Sequence, residues 1–170
     1  TIEGDGVNAF IASVSAYAAV ATPGWPGTVR FLLQIAEAYA YICLQDLYNP
    51  LRFLKQLEGA PPVRFGTQGF NRTIIEPGDA NPARHYTAFL FVGFWLPPIL
   101  AVPVLYLWEV LGFFRYRFHW SDEDMRSGFY AIHHGRLVRC YGPTVLPGLI
   151  ARDLAERDAG CGTRDMDAYS

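Results

Sequence analysis

Lysine is nearly missing from this sequence, and charge of either sign is scarce. Of the 14 basic residues only Lys55 is a lysine; the other 13 are arginines. Charged residues make up 18% of the 170, against about 25% in an ordinary soluble domain. The formal net charge of −2 supplies no field that would gather a polyanion, so a nucleic-acid partner is not expected. The arginine bias suits bidentate contacts to phosphate or carboxylate. Cysteine is also sparse: Cys43, Cys140 and Cys161 are widely spaced and odd in number. That excludes a complete internal disulfide framework and leaves mostly free thiols, with a Cys140–Cys161 bridge as the alternative. The sequence contains no CxxC, no glycine-rich phosphate loop, no GxSxG and no internal repeat, which removes the common motif-bearing enzyme classes. The opening TIEGDG is acidic, unlike the positive start of a secretory signal. The first residue is Thr1 rather than a methionine, which is consistent with a removed targeting leader.

Apolar residues fill the space that charge leaves: 51% of the chain is hydrophobic and 15% aromatic. By composition the chain divides into an N-terminal apolar and amphipathic helical region (1–57), an extended connector (58–85), a transmembrane helix (86–114) and a polar C-terminal arm (115–170). Residues 7–22 form a small-residue helix, too short for a span and suited to packing against protein. From Thr28 onward, Arg30, Gln34, Glu37, Tyr41, Gln45, Tyr48 and Arg52 recur at steps of three and four, one stripe on an otherwise apolar helix. This pattern predicts an amphipathic or membrane-associated helix over about 28–48, with Arg30, Gln34, Glu37 and Gln45 as a partner-contact stripe. The connector is rich in Pro, Gly and Asn, and its ordering is expected to depend on another protein surface.

The fold class expected is therefore a mainly α membrane protein with one confident crossing. Tyr86 to Trp108 holds 23 residues without a formal charge, which as a continuous helix would measure roughly 34 Å, enough to cross a hydrocarbon core. Pro97, Pro98 and Pro103 should kink it, because they deprive the carbonyls of Gly93, Phe94 and Ile99 of their amide donors. Lipid cannot replace those donors, so a neighbouring protein segment is expected to supply them. Beyond the span, Arg115, Arg117, His119 and Trp120 alternate bases with rings, a pattern suited to phospholipid headgroups.

In the C-terminal arm, Ser121 followed by Asp122, Glu123 and Asp124 reads as a capped helix start, with Gly135 as its stop, an extended stretch over 137–141 and a short helix over about 149–158. On a continuous helix His85 and His119 would stand roughly 50 Å apart, too far to share a ligand. His133, His134 and Cys140 are too loosely spaced for a zinc set. No catalytic, cofactor or metal site is expected from these spacings; bound phospholipid is the one non-protein group anticipated. Glu37 and Glu109, acids in apolar surroundings, suit pairing with an arginine of a neighbour or a place on a proton path. The function expected is that of a non-catalytic accessory subunit of a multisubunit membrane complex. By analogy it would belong to the respiratory chain or an ATP synthase in the mitochondrial inner membrane, in contact with other membrane subunits. A membrane redox or metal-binding protein and a small transporter component are the alternatives.

Overall fold

A computed structural model describes residues 6–44, 61–75, 79–115 and 121–156, with the backbone alone for 111–115. Six α-helices carry it: α1 (Gly6–Ala19), α2 (Trp25–Ile35), α3 (Pro82–Trp95), α4 (Pro98–Arg115), α5 (Asp122–Tyr141) and α6 (Leu146–Asp153). Helix α1 buries Val7, Phe10, Val14 and Ala18, the three- and four-residue steps that place side chains on one face. Helix α2 starts earlier than the polar stripe suggested, because Pro26 occupies a first-turn position where a missing amide hydrogen costs nothing. It also ends earlier. A π turn over Ala36–Ala40 follows it, and Tyr41, with φ 62°, closes the turn in a left-handed conformation. The stripe nonetheless faces outward: Arg30, Gln34 and Glu37 are exposed while Phe31, Leu32, Ile35, Ala36 and Tyr39 are buried.

One aromatic hub gathers the N-terminal half. The Phe10 ring lies 5.5 Å from Tyr39, 5.1 Å from Phe65, 6.2 Å from Phe70 and 5.9 Å from Tyr86, centroid to centroid, separations at which edge and offset contacts are favourable. Phe65 and Phe70 come from the connector, which also buries Ile74 and Ile75. The described part of that segment is thus ordered by this chain's own helices rather than by a foreign surface. Its backbone is tied down as well, through Asn71 N–H to Leu154 O at 2.8 Å and Glu156 N–H to Gly69 O at 2.7 Å.

The expected transmembrane helix is not there. Residues 86–114 fall on two helices, separated at Leu96 and Pro97. Leu96 is extended, with φ −105° and ψ 141°, the conformation that a following proline imposes. After the break the chain turns back: ligand atoms of His85 on α3 and Glu109 on α4 lie within 4.8 Å of each other, whereas a continuous helix would hold these residues roughly 36 Å apart. Among the described residues, no helix is long and apolar enough to cross a membrane. The membrane fold class and the integral inner-membrane location are corrected accordingly. The sequence reading treated the prolines as kinks in a rod, but two adjacent prolines after a β-region residue make a corner.

Helix α5 completes a three-helix unit with this hairpin. It runs beside α3 at very short range, because a Cβ on Gly93 would collide with the Ile132 backbone and one on Gly135 with the Leu90 carbonyl. Gly135 therefore serves the crossing and does not stop the helix, which continues through 137–141 to Gly142 at φ 88°. The start of α5 is as expected: the Ser121 hydroxyl accepts the Asp124 amide hydrogen at 3.1 Å, with Asp122, Glu123 and Asp124 in the first turn. A 3₁₀ turn over Pro143–Val145 leads into α6, which packs against α1 through a core that includes Leu146 and Ile150.

Candidate functional site

Helix α4 is the element whose surface is least explained by the chain itself. Ala101, Leu105 and Glu109 are buried at four-residue steps, and this narrow stripe seats the helix on α5, where Leu105 lies over Gly128. Most other described positions face out, with Pro98 and Val102 partly buried. Ile99 is 80% exposed, Leu100 53%, Leu107 59% and Trp108 47%, and Val104, Tyr106 and Val110 join them. At the hairpin corner the apolar surface extends to Trp95 and Trp25, whose rings meet at 6.3 Å. Contiguous exposed apolar residues of this kind mark protein-interaction surfaces more often than free-standing ones.

A polar junction lies beneath the opposite, inward face of α4. His85 from α3, Glu109 from α4 and Asp124 from α5 bring an imidazole nitrogen and two carboxylate oxygens within 4.8 Å of one another. The His85 Nε2–H donates to the Asp124 backbone carbonyl at 2.9 Å; a carbonyl only accepts, so the ring lone pair resides on Nδ1. Burial lowers the His85 pKa to about 4, partly offset by that hydrogen bond. Glu109 is 9% exposed, an acid held on the buried stripe of an apolar helix.

A second polar chain threads the core behind it. Asp153 accepts the Nε2–H of His134 at 2.9 Å, and Nδ1 of that ring accepts the Tyr86 hydroxyl at 2.8 Å. Desolvation lowers the His134 pKa to about 4 against the pull of Asp153, and burial raises Tyr86 well above its usual range. Asp153 is held below the ordinary carboxylate range, first by its hydrogen bonds from Arg152. His134 is wholly buried, and the relay joins α3, α5 and α6, with Asp153 reaching a surface depression. Two shallow depressions mark the described surface, one lined by Tyr106, Asp122, Met125, Arg126 and Phe129, the other by Asn71, Tyr130, Arg152, Asp153 and Glu156. The second is mainly polar, and the first mixes Tyr106, Met125 and Phe129 with the charges of Asp122 and Arg126.

Of the residues singled out from sequence, Arg30, Gln34 and Glu37 form an exposed row on α2 and the π turn, while Gln45 lies outside the described residues. Arg115 ends α4, and Arg117, His119 and Trp120 also lie outside the description. Pro97 and Pro98 form the corner and Pro103 sits inside α4. The donor anticipated for Phe94 is in this chain: Arg139 Nη1 donates to the Phe94 carbonyl at 3.2 Å, and its guanidinium stands 5.6 Å from the Trp25 ring centroid. His133 is exposed and His134 buried, so the adjacent pair does not share a ligand. Cys43 and Cys140 carry free thiols. The junction of His85, Glu109 and Asp124 was missed, because the distances assigned to His85 assumed an unbroken helix; the Pro-Pro pair was the signal that could have revealed it. Compared with protein-family models, with curated proteins and with solved structures, the chain matches none.

Proposed function

We propose that this chain is a non-catalytic accessory subunit of a multisubunit assembly, joined to a different protein by the outward face of α4. The observation that carries the reading is the apolar surface from Ile99 to Val110, on a helix that its own chain buries along Ala101, Leu105 and Glu109. Aromatic residues dominate the energetic centres of interfaces, and Tyr106 and Trp108 stand in that surface. A single projecting helix is convex, so its natural receiver is an apolar groove, the helix-in-groove mode. Of the two depressions, the one lined by Asn71, Tyr130, Arg152, Asp153 and Glu156 is mainly polar and the other mixes apolar with charged residues; the receiver proposed is a groove on a partner of another sequence. The setting in the respiratory chain or ATP synthase has no support from any relative, and the membrane setting is overturned by the hairpin.

A photoreactive amino acid placed at Ile99 or Leu107 in the full chain, expressed in its own cell, tests this. Both positions are expected to trap the same single protein, which then forms a stoichiometric complex with the purified chain, while the same group at exposed Arg136 traps none. Self-crosslinked dimers, or a chain that stays monomeric in a native detergent-free extract, would contradict it.

A further inference from the structure

We infer that His85, Glu109 and Asp124 form a binding site for a divalent transition-metal ion of the zinc class, which fastens the α3–α4 hairpin to the first turn of α5. The proposal is independent of what covers the outer face of α4. Three helices contribute one ligand each, from positions 24 and 15 residues apart in sequence (109 − 85 and 124 − 109), and all three ligand atoms lie within 4.8 Å of one another. Zinc bonds of about 2.0–2.2 Å to imidazole and carboxylate put neighbouring ligand atoms about 3.3–3.5 Å apart. Closing from 4.8 Å needs less than about 1.5 Å of side-chain movement, within reach of two carboxylates on flexible stems.

The donor chemistry selects the ion. One imidazole with two carboxylates suits Zn²⁺ or Mn²⁺ over a soft thiolate-bound metal or an all-oxygen calcium cage. A ring that donates one N–H to a backbone carbonyl keeps its other nitrogen for a metal, the usual arrangement around metal-bound histidines. Here Nε2–H donates to Asp124 O at 2.9 Å. Coordination through Nδ1 preserves that bond, and coordination through Nε2 replaces it. Glu109 lies on the buried stripe that seats α4, in line with Ala101 and Leu105. With three protein ligands, the fourth position belongs to water or to a residue of an adjoining molecule.

The test uses the full chain, purified without a metal-binding tag, stripped with chelator and titrated with Co²⁺ and then Zn²⁺ in competition with a chromophoric chelator. One ion per chain is expected, with visible d–d absorption of low coordination number for Co²⁺. Glu109→Gln and Asp124→Asn should each weaken Zn²⁺ binding by at least about 100-fold, the upper range for loss of groups that only support ligands. Circular dichroism checks that each variant keeps its helices; if Glu109→Gln does not, Asp124→Asn decides, since that side chain is partly exposed. The combined His133→Ala, Cys140→Ser variant, exposed at both positions, should bind as the parent does. No saturable binding, or binding that survives Asp124→Asn and vanishes in the His133/Cys140 variant, would overturn the assignment.

Discussion

Arg139 illustrates what a single side chain contributes and why it was hard to foresee. Pro98 leaves the Phe94 carbonyl without an amide donor, and the guanidinium of Arg139, 45 residues away, fills the gap. The need for a donor was legible from proline chemistry, but not its source, because that depends on how α5 crosses α3. Arg139→Met should therefore cost about 1–3 kcal/mol in urea unfolding, the penalty for an unsatisfied buried acceptor. The Ser121 cap, by contrast, was readable because capping is local. His134 and His85 share the pH dependence, both being held at about 4 in the folded chain; His134 shows the sign. Its folded pKa of about 4 lies below its unfolded value of 6.5, so the unfolded chain takes up the proton first as pH falls. Stability from this group is complete above about pH 6.5 and is lost between there and pH 4. Asp153, lowered as well, adds to the loss at still lower pH. Unfolding free energies from urea titrations at pH 7.5 and pH 5 should differ by about 2 kcal/mol for each of the two histidines, and His134→Gln should remove about half of that difference.

At the level of helices, the recurring steps of three and four from Arg30 onward marked a polar stripe, and Arg30, Gln34 and Glu37 are exposed. Ends were less legible. Tyr41 in a left-handed conformation closes the π turn, and nothing in the local sequence announces it. Gly135 looked like a stop because glycine favours helix ends, yet it is a contact point where α3 and α5 nearly touch backbone to backbone. Gly135→Ala should destabilise the chain by about 1–3 kcal/mol through overpacking, a larger effect than the helix-propensity gain of about 1 kcal/mol in its favour. The outer face of α4 behaves oppositely. Leu107→Ser, at a residue 59% exposed, should leave the unfolding free energy of the isolated chain within about 0.5 kcal/mol of the parent while abolishing the photocrosslink from Ile99; thermal melts alongside the crosslinking assay check both halves.

For the molecule as a whole, low charge and abundant apolar surface were correctly noticed and wrongly placed. A 23-residue uncharged stretch satisfies the length of a bilayer, but two prolines at its middle fold it into a hairpin whose inner sides bury Phe94, Leu90 and Leu105 and whose outer side remains apolar. Composition cannot distinguish a rod from a corner; backbone chemistry at Leu96, Pro97 and Pro98 can. The polar junction follows from the same corner, since only a returning α4 brings Glu109 to His85. The most direct measurement is the distance between spin labels at Arg84 and Val110 by pulsed electron paramagnetic resonance, in a background with Cys43, Cys140 and Cys161 changed to serine. A hairpin with packed helices gives a separation below about 20 Å once label length is included. A distribution centred near 39 Å, the length of an unbroken helix between those positions at 1.5 Å per residue, would contradict the fold and everything built on it.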